Sequence, residues 1–353
     1  LTRVKTNYGN KAIYAGSYGW ASAGRFHHAQ SQLRRFLNTI GGYTGSANTY
    51  SHAGAEVLFP YIVGMTNRVF QDRMTSWSSI VEHCETLVAF GGISKRPSQI
   101  AASGTSRHET QDWLDKAVAN GCAIVNISPL GSDMADTSSA QWIGPRPGTD
   151  MVLILALAYQ LFVNGQANRT FLDRYTNGAV EFESYVMGQS DRTPKTPDWA
   201  ADICDIPAQT IRDLAQRMAT TKTMINMSWS MQRADRGEVT LWAGIALACI
   251  LGQIGQAGTG FGFGYGSTEP VGRPHKLIDW PSLPQGVNPV KDVIPVARLA
   301  DMLENPGSTY AYDGITRTYP DAKLVWWSGG NPFHHHQDLA RLDRVWPTPE
   351  TVV

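Results

Sequence analysis

The sequence predicts an α/β fold in which layers of parallel sheet are flanked by helices. Short apolar segments alternate with longer segments of helical periodicity, which is the pattern of parallel α/β layering. Thr86–Phe90, Ala123–Ile127 and Thr223–Met227 are such strands, and Met151–Val163 and Gly237–Ile254 are such helices. Ligands of these sheets lie beyond the carboxyl ends of the strands. The loops after the strands are therefore the first places to look for a binding site.

The N-terminal region shows the same alternation. Lys11–Ala15 predicts a short strand, and His28–Ile40 places its apolar side chains on one helical face before a pair of glycines ends the helix. We expect a polar, glycine-bearing loop over Tyr43–His52 and a helix over Ala53–Val63. Ser51 would then precede a helix N-terminus, where free amide groups and the helix dipole favour an anionic oxygen.

The C-terminal region begins with a segment of a different kind. Gly255–Asn288 is rich in Gly and Pro and has no clear periodicity. Aromatic side chains interrupt it, so we expect a long ordered loop rather than a linker. Beyond it, Lys323–Ser328 predicts a strand, Gly329–Pro332 a turn and Gln337–Val345 a helix.

Composition narrows the class of protein. The chain has 353 residues, of which 42% are hydrophobic and 17% charged, as in ordinary globular proteins. Thirty Lys and Arg residues balance thirty Asp and Glu residues, so no global field would recruit nucleic acid or an anionic membrane. No apolar segment reaches the roughly 18–20 residues of a membrane span, so we expect no membrane insertion. The chain opens at Leu1 without Met, and we expect it to be a fragment of a longer protein.

The four cysteines do not indicate a metal site. Cys84, Cys122, Cys204 and Cys249 are far apart and form no CxxC motif, so their spacing predicts neither a zinc site nor an iron–sulfur cluster. Buried reduced thiols are the simpler interpretation.

Two segments combine aromatic residues, glycines and an isolated serine. The first, Ser17–Arg25, contains Tyr18 and Trp20, and the second, Asn48–Glu56, contains Ser51. Glycine lets the backbone approach a bulky ligand, and aromatic rings exclude water from it. A serine without an activating His or Asp is a poor nucleophile, but its oxygen can bind a high-valent metal. The pattern alone is also compatible with a helix N-cap at the serine and with core aromatics.

These segments resemble the serine-ligated branch of the dimethyl sulfoxide reductase family of molybdopterin oxidoreductases, which includes dimethyl sulfoxide, trimethylamine N-oxide and biotin sulfoxide reductases. Tyr50-Ser51 matches the family's Tyr-Ser pair, so the resemblance implies that Ser51 is a molybdenum ligand. Tyr18 and Trp20 match residues on the substrate side of the metal, where the tyrosine hydroxyl reaches toward the oxygen of the oxide. Trimethylamine N-oxide reductases lack that tyrosine, so Tyr18 favours a sulfoxide. After the serine, this chain has His52-Ala53 where many members have Thr-Gly. We expect this difference to leave the ligand in place and to alter the pocket wall.

The resemblance further implies a bis(molybdopterin guanine dinucleotide) cofactor, with no iron–sulfur cluster in this segment. Residues that match cofactor contacts of the family are Trp20, Arg96, Ser128, Asp133, Asp150, Trp229, Arg233, Asn331 and His334. An arginine fork suits a pyrophosphate, and the aspartate of Pro-Gly-Thr-Asp stands against a guanine in the family. Two alternatives stay open: Lys95 could take the place of Arg96, and His335 or His336 could take the place of His334.

Two further motifs point away from other classes. The glycine-rich Gly252–Gly266 follows a predicted helix and lacks a P-loop Lys-Ser/Thr, which disfavours a nicotinamide or triphosphate site; it matches the family's Leu-Gly-Gln-Ile-Gly segment. Consecutive histidines at 334–336 would point to alternate sides of a strand, which disfavours a zinc site.

The implied reaction is two-electron oxygen-atom transfer from an S-oxide, such as dimethyl, biotin or methionine sulfoxide. The alternatives are an N-oxide substrate, molybdenum-dependent hydroxyl transfer, and a fragment without catalytic activity. The expected partners are a small oxide and an electron donor, either a cytochrome or another reduced carrier of anaerobic respiration. The compartment is the periplasm or the cytoplasm, with the periplasm slightly favoured.

The resemblance also implies two interleaved α/β domains of a larger multidomain molybdoenzyme. Residues 1–90 would carry the molybdenum ligand loop, and residues 91–270 would form a Rossmann-like domain that binds one pterin guanine dinucleotide. Residues 271–353 would contain the long loop and return to the first domain, which stays incomplete.

Overall fold

The computed structural model describes residues 1–18, 26–101, 106–136, 139–273 and 281–353, and these residues divide into two compact units. The first unit contains the described residues of 1–53 and 281–353. The second unit contains those of 54–273. The described residues of the second unit thus all lie between those of the two segments that form the first unit.

Helices and strands alternate in both units. The strands are β1 Ile13–Gly16, β2 Thr44–Ala47, β3 Thr86–Phe90, β4 Ala123–Ile127, β5 Gln141–Ile143, β6 Thr223–Met227, β7 Gly260–Phe263, β8 Val293–Pro295, β9 Thr309–Tyr312, β10 Ile315–Thr318, β11 Leu324–Trp327 and β12 Thr351–Val352. The helices are α1 Thr2–Tyr8, α2 Ala29–Thr39, α3 Ala53–Ile62, α4 Asn67–Arg73, α5 Trp77–His83, α6 Thr110–Ala119, α7 Asp150–Val163, α8 Arg169–Tyr175, α9 Ala179–Val186, α10 Pro197–Cys204, α11 Ala208–Thr220, α12 Gly237–Leu251, α13 Leu299–Glu304 and α14 Leu339–Val345. No helix within the described ranges is both long and apolar enough to cross a membrane.

Each unit contains a parallel sheet, and the two sheets share one strand order. Among the described residues, the first unit has a five-stranded sheet in the order β12-β11-β1-β2-β8, and the second has one in the order β5-β4-β3-β6-β7. In each, the chain starts in the central strand, adds two strands on one side and then two on the other. We call the gap where the direction changes the reversal point: β1/β11 in the first sheet and β3/β6 in the second. Loops diverge there and leave a crevice at the carboxyl ends of the strands. The predicted α/β class is confirmed.

Side-chain alternation covers both faces of the first sheet. Ile13 and Ala15 of β1 pack with Leu37 of α2, whereas Tyr14 packs with Leu299 of α13 and other residues of the opposite layer. Successive residues of a strand point to opposite faces, so a sheet covered on both sides needs apolar residues at consecutive positions.

Two apolar helices form the centre of the second unit. α7 and α12 have buried apolar residues around most of their circumference, which is typical of helices in the interior of a protein. Gly244 lets α12 approach the sheet, because a Cβ at this position would lie 2.1 Å from the Met227 sulfur. The close approach of α12 to β6 fixes the strand whose C-terminal loop borders the reversal point.

The predicted loop over Tyr43–His52 contains a strand, β2. Its sequence, Thr-Gly-Ser-Ala, has no large apolar residue and therefore gives no strand pattern. It pairs with β1 on one side and β8 on the other, and these ladders supply the hydrogen bonds that hold it in the sheet. The prediction of a continuous loop was wrong here because the strand is specified by its neighbours.

The predicted loop over Gly255–Asn288 also contains a strand, β7. Phe261 and Phe263 are buried, and β7 pairs in parallel with β6. Glycine weakens strand preference, so a Gly-Phe-Gly-Phe sequence reads as a loop. Gly262 is needed because a Cβ there would lie 2.1 Å from the Tyr265 ring.

The first boundary between the units differs from the predicted one at residue 90. It falls at residues 53 and 54, so the segment 54–90 belongs with the second unit. The reason is that β3 is the central strand of the second sheet and pairs with both β4 and β6.

We predict that Gly92→Ala destabilises the protein more than Gly121→Ala does. Both glycines have positive φ angles, 73° and 92°, which cost an alanine about 1–2 kcal/mol. At residue 92 a Cβ would also lie 2.1 Å from the Asp133 carbonyl oxygen, whereas nothing lies within 4 Å at residue 121. Urea unfolding should show at least about 1 kcal/mol of additional loss for Gly92→Ala. Equal losses would mean that this close approach has no energetic weight.

Candidate functional site

Tyr18 lies at the reversal point of the first sheet. It follows β1, and the loop after β11 comes beside it because these two strands are paired. Its ring centroid lies 4.8 Å from that of Trp327, 4.5 Å from that of His335 and 6.1 Å from that of Tyr50. The four rings form an aromatic cluster that spans three separate segments of the chain.

Glycine makes room for this cluster. A Cβ at Gly330 would lie 2.3 Å from Cδ2 of Tyr18, and a Cβ at Gly16 would lie 2.1 Å from a carbon of the Trp327 indole. Neither position can hold a larger residue unless a ring moves. The glycines after β11 are thus needed for the position of Tyr18 as well as for the turn.

The hydroxyl groups of Tyr18 and Tyr50 stay protonated at neutral pH. Burial raises the pKa of each phenol well above its usual value near 10. The Tyr50 hydroxyl donates to the carbonyl oxygen of Val296 at 2.8 Å. Tyr50 is therefore anchored to the backbone, and Tyr18 is available as a neutral hydrogen-bond donor.

Ser51 follows Tyr50, a member of the aromatic cluster, in the sequence. Its backbone N–H donates to Oγ1 of Thr49 at 3.2 Å, and the side chain is half-buried. Asn48 has a positive φ of 66° and donates from Nδ2 to the Tyr312 hydroxyl at 2.7 Å. These bonds fix the short segment between β2 and α3, and they hold the serine next to the ring of Tyr50.

The three consecutive histidines have three different environments. His334 is exposed at the end of a short 3-10 helix, Pro332–His334. His335 has its ring edge against Tyr18 and stacks on Tyr50 at 6.2 Å. His336 is buried: Nε2 accepts from the Ala300 N–H at 3.3 Å, and Nδ1 donates to the carbonyl oxygen of Gln337. The structure thus places His335, rather than the predicted His334, in the aromatic cluster.

Two further predicted residues of the first unit, Asn331 and Trp20, lie outside the aromatic cluster as described. Asn331 is exposed, and its Oδ1 accepts from the Phe333 N–H at 3.0 Å, which caps the short helix. Trp20 lies outside the described residues. Among the described residues, no group of three or more His, Cys, Asp or Glu side chains is arranged to hold a metal ion.

A buried hydroxyl lies at the end of β1. Ser17 is 8% exposed, and its Oγ has no hydrogen-bond partner among the described residues. It lines a small cavity together with polar groups of Gln30, Arg34 and Ser46. A buried polar atom without a partner costs about 1–3 kcal/mol, so this hydroxyl is suited to a ligand.

Two glycines form the reversal point of the second sheet. Gly91 and Gly92 follow β3 with φ angles of 76° and 73°. The Gly91 N–H donates to the Ile127 carbonyl at 2.8 Å, and a Cβ at this residue would lie 2.8 Å from Cβ of Ser228. The Gly92 carbonyl accepts from Nδ2 of the buried Asn226 at 3.4 Å. The loops after β3, β4 and β6 therefore meet in a narrow space.

Trp229 and Arg233 lie on the loop after β6, as predicted. Trp229 begins a 3-10 helix, and its backbone N–H donates to Oγ of Ser267 at 3.3 Å. A Cβ at Gly264 would lie 2.0 Å from Nε1 of this tryptophan, so the glycine makes room for the indole. Arg233 ends the same short helix and is exposed, and Arg96, on the loop after β3, is exposed as well. The strand order thus places these two arginine-bearing loops on either side of one reversal point.

Ser128 and Asp133 form a pair with each other. The buried Ser128 hydroxyl donates to Oδ2 of Asp133 at 2.6 Å. A cavity of about 410 Å³ opens beyond the carboxyl ends of β4 and β5. It is lined by Asn126, Gly131, Ser132, Met134, Ala135, Asp136, Ala140 and Trp142.

Two residues of this cavity were missed by sequence reasoning. Asn126 interrupts an otherwise apolar strand, Ala-Ile-Val-Asn-Ile, and such an interruption is a signal that could have been used. Trp142 has no signal of this kind, because it lies in a short strand that shows no periodicity.

Asp150 is the first residue of α7 and is half-buried. Burial raises the pKa of its carboxyl group. The carboxyl group is thus less strongly acidic than on an open surface, and a partner that donates hydrogen bonds to it would offset this effect.

The comparisons with known proteins agree with this geometry. The family model described as "Molybdopterin oxidoreductase" matches residues 1–353. The chain belongs to the molybdopterin oxidoreductase family. Membership of this family implies a molybdenum–pterin cofactor. The family resemblance predicted from the sequence is confirmed.

Three relatives of this molybdopterin oxidoreductase chain align over its whole length. It is 44% identical to biotin sulfoxide reductase of Cereibacter sphaeroides, of which it covers 47%. It is 38% identical to trimethylamine-N-oxide reductase of Haemophilus influenzae and 37% identical to dimethyl sulfoxide/trimethylamine N-oxide reductase of Rhodobacter capsulatus, and it covers 44% of each. The chain thus spans less than half the length of these relatives.

A solved structure supports the fold. Acetylene hydratase from Pelobacter acetylenicus matches with a TM-score of 0.51 at 20% sequence identity, over 72% of this chain and 32% of that one. This likeness concerns the α/β architecture alone.

We predict that His334 and His336 differ in their effects on stability. His336→Ala should lower the free energy of unfolding by about 1–3 kcal/mol, because the Ala300 N–H and the Gln337 carbonyl lose their partner inside the protein. His334→Ala should change it by less than about 0.5 kcal/mol, since this side chain is exposed. Urea unfolding monitored by circular dichroism measures both. If His334→Ala were the more destabilising variant, the assignment of the buried histidine would be wrong.

Proposed function

We propose that the protein containing this chain reduces an S-oxide by two-electron oxygen-atom transfer, on a molybdenum bis(molybdopterin guanine dinucleotide) cofactor. Ser51 would supply the protein ligand to molybdenum. The observation that carries this proposal is the aromatic cluster at the first reversal point, in which Tyr18 is a neutral donor and Tyr50 precedes Ser51. The relative with 44% identity is a biotin sulfoxide reductase, which agrees with an S-oxide substrate.

The residues present fit a pterin nucleotide in both units. Each reversal point has glycines that leave no space for a Cβ, at Gly330 in the first unit and Gly92 in the second. Each unit also holds a buried polar atom without a partner among the described residues, Oγ of Ser17 and Oδ1 of Asn126. The glycines let the strand-end loops pack closely at the reversal points, and a buried polar atom without a partner is suited to a polar ligand.

The shared strand order supports one dinucleotide in each unit. In the second unit, Arg96 and Arg233 are proposed to bind the pyrophosphate, and Trp229 to contact the pterin. The guanine nucleotide is assigned to Asp150 and to the Ser128–Asp133 pair. Exposed arginines on two loops at one reversal point suit a diphosphate, because each guanidinium donates in a planar fork.

In the first unit, we propose that Asn331 and His335 contact the pterin, with His335 replacing His334 in that role. The exposed side of His335 leaves part of the ring accessible, while its edge supports Tyr18. Trp20 keeps its proposed place in the substrate pocket wall.

When bound, the cofactor would pass the two electrons of the partner on to the oxide and would provide the acceptor for its oxygen atom. The residues of the chain position the oxide. Tyr18 donates a hydrogen bond to the oxide oxygen, and its raised pKa keeps it protonated throughout the neutral range. The rings of Trp327, Tyr50 and His335 hold the phenol in place and exclude water from one side of it.

Overall, one S-oxide, two electrons and two protons give one sulfide and one water. The electrons come from a partner, which we propose to be a cytochrome or another reduced carrier. An N-oxide is the second candidate substrate, because relatives with 38% and 37% identity carry that activity in their names. Tyr18 favours the S-oxide.

We predict that Ser51→Ala in the complete protein disturbs the molybdenum site. The wild-type protein, expressed in a host that makes the cofactor, should contain about one molybdenum and release two guanine nucleotides per chain on denaturation. The variant should lose most of its turnover and show a changed molybdenum spectrum, since a metal loses an oxygen ligand. Ser308→Ala, which removes an exposed serine of the first unit, is the matched control and should match the wild type.

Two outcomes would overturn the proposal. A wild-type protein without molybdenum and nucleotide would leave a relative without catalytic activity. A Ser51→Ala protein with an unaltered spectrum and full turnover would remove the serine from the ligand set.

We predict that Tyr18→Phe lowers kcat/KM for dimethyl, biotin or methionine sulfoxide by about a hundredfold, as expected when one positioned donor is lost. The loss for trimethylamine N-oxide should be smaller. Tyr61→Phe is the control, because Tyr61 is 76% exposed and outside the aromatic cluster. Steady-state kinetics with both substrate classes gives the comparison. Equal losses for S-oxide and N-oxide would show that the hydroxyl does not select between them.

A further inference from the structure

Two cysteines lie side by side at the amino-terminal edge of the second sheet. Cys84 ends α5 just before β3, and Cys122 follows α6 just before β4. The two strands are parallel neighbours, with Thr86 paired to Ala123. The Ala123 N–H donates to the Glu85 carbonyl at 2.9 Å, so the residues that follow the two cysteines are bonded to each other. Adjacent strands lie about 5 Å apart, which is a Cα separation that a disulfide bridges.

The two thiol groups point into the same layer of the second unit. Both belong to one cluster of buried apolar side chains, which covers one face of the sheet. The start of β3 explains how Cys84 reaches this layer. The N–H groups of Glu85 and Thr86 both donate to the Lys222 carbonyl, at 2.9 and 3.1 Å. Two successive donors on one acceptor mark a bulge, and a bulge re-aims the side chain beside it.

The thiols are hydrogen-bonded to each other and differ in acidity. Their mutual hydrogen bond raises the pKa of the Cys84 thiol and lowers the pKa of the Cys122 thiol. Cys84 is therefore the donor, and Cys122 is the sulfur that carries a negative charge more readily. A sulfur that ionises beside a protonated thiol is the arrangement that thiol–disulfide exchange uses.

The other two cysteines of the chain have a different environment. Cys204 and Cys249 pack in the apolar cluster on the opposite face of the sheet. The Cys204 thiol donates to the Thr149 carbonyl oxygen at 3.5 Å. Burial raises the pKa of the Cys249 thiol to about 11. Both groups therefore stay protonated at neutral pH, and they serve as internal controls.

The paired cysteines are buried but lie close to the surface. Cys84 is 5% exposed and Cys122 is 4% exposed, whereas the residues that follow them, Glu85 and Ala123, are exposed. α5, which Cys84 ends, has only seven residues. Ends of short elements open locally at a lower free energy than the whole protein does. An oxidant therefore needs only local opening to reach the pair.

We propose that Cys84 and Cys122 are a redox-active dithiol, which closes to an intramolecular disulfide with a disulfide oxidant such as oxidised glutathione. The Cys122 sulfur attacks one sulfur of the oxidant, which breaks the S–S bond of the oxidant and releases one thiolate. The Cys84 sulfur then attacks the Cys122 sulfur, which breaks the mixed disulfide and releases the second thiolate. The protons of the two cysteines end on the two released thiolates. Two thiols are thus oxidised by two electrons, and one disulfide is reduced to two thiols.

The disulfide joins the starts of two neighbouring strands and the ends of two helices. It closes the loop from residue 84 to residue 122, which restricts the unfolded chain, so the oxidised protein should unfold at a higher urea concentration. The pair lies at the edge of the sheet opposite to the reversal point at β3/β6. The inference therefore rests on neither the cofactor nor the proposed function.

The test is oxidation of the complete, folded protein with oxidised glutathione at neutral pH. Remaining thiols are blocked with iodoacetamide, and a tryptic digest is measured by mass spectrometry without reductant. Trypsin cuts after Lys and Arg but not before Pro, so it releases peptides 74–95 and 117–169, each with one of the two cysteines and no other. These peptides should appear joined, at the sum of their masses less two hydrogen atoms. They should appear separately from protein kept in reductant.

Single variants test the order of the two steps. Cys84→Ser should leave glutathione bound to peptide 117–169, because the second step has lost its sulfur. Cys122→Ser should leave peptide 74–95 mostly free of glutathione. Cys249→Ser is the matched control and should form the joined peptide as the wild type does. Only the wild type and this control should show a higher urea midpoint after oxidation.

The peptide map of the wild type decides the proposal without any variant. Separate peptides after oxidation, or a joined peptide that forms only in urea, would overturn the dithiol. A link from either cysteine to Cys204 or Cys249 would overturn it as well. Glutathione on peptide 74–95 of Cys122→Ser, with none on peptide 117–169 of Cys84→Ser, would contradict the role of Cys122 as the attacking sulfur. An equal urea midpoint for oxidised and reduced wild type would contradict the effect on stability.

Discussion

Pairing between strands that are distant in sequence holds the candidate site of the first unit together. β1 and β11 lie side by side from Ile13 and Leu324 to Gly16 and Trp327, and both run in the same direction. Their loops must therefore start at the same edge of the sheet. The next strands along the chain lie on opposite sides, so the loops diverge and a crevice opens between them. The aromatic cluster and the glycine turn depend on this pairing, and the segment that carries Ser51 reaches the same edge because β2 pairs with the other side of β1.

Contact between glycines and aromatic rings is the second recurring feature. Gly16 faces Trp327, Gly330 faces Tyr18 and Gly264 faces Trp229, each at a distance that no Cβ could occupy. The 34 glycines of the chain are therefore used partly to seat rings and not only to form turns. A ring against a bare backbone has few alternative positions, which gives a binding site fixed walls before its ligand arrives. The same arrangement occurs at Gly144 and Trp142.

Sequence patterns predicted the elements that carry their own signal. β3, β4 and β6 are apolar runs between polar loops, and their bounds match the predicted strands. β2 and β7 were missed because Thr-Gly-Ser-Ala and Gly-Phe-Gly-Phe become strands only through their neighbours. Burial by tertiary contacts overrides local preference in such cases.

The candidate site shows the same limit. Tyr18 and Ser51 were predicted from the segments that contain them, and in the structure Tyr18 belongs to the aromatic cluster and Ser51 follows Tyr50 of that cluster. Which of the three histidines joins the aromatic cluster could be seen only in the structure, since adjacent identical residues differ only in the direction in which each side chain points. The position of Trp142 in the cavity wall needed the structure too, because it depends on contacts with Gly131 and Gly144.

The interleaved arrangement of the units affects the order in which they can fold. The described strands of the second unit lie between Thr86 and Phe263, so they are all available once residue 273 has been synthesised. Of the described strands of the first sheet, β1 and β2 precede that point, whereas β8, β11 and β12 follow it. Contacts of such long sequence separation close slowly, because a large loop must first be ordered. A nascent chain would thus hold a finished second unit while the edges of β1 and β2 stay open. Those edges are where premature pairing with another chain would begin.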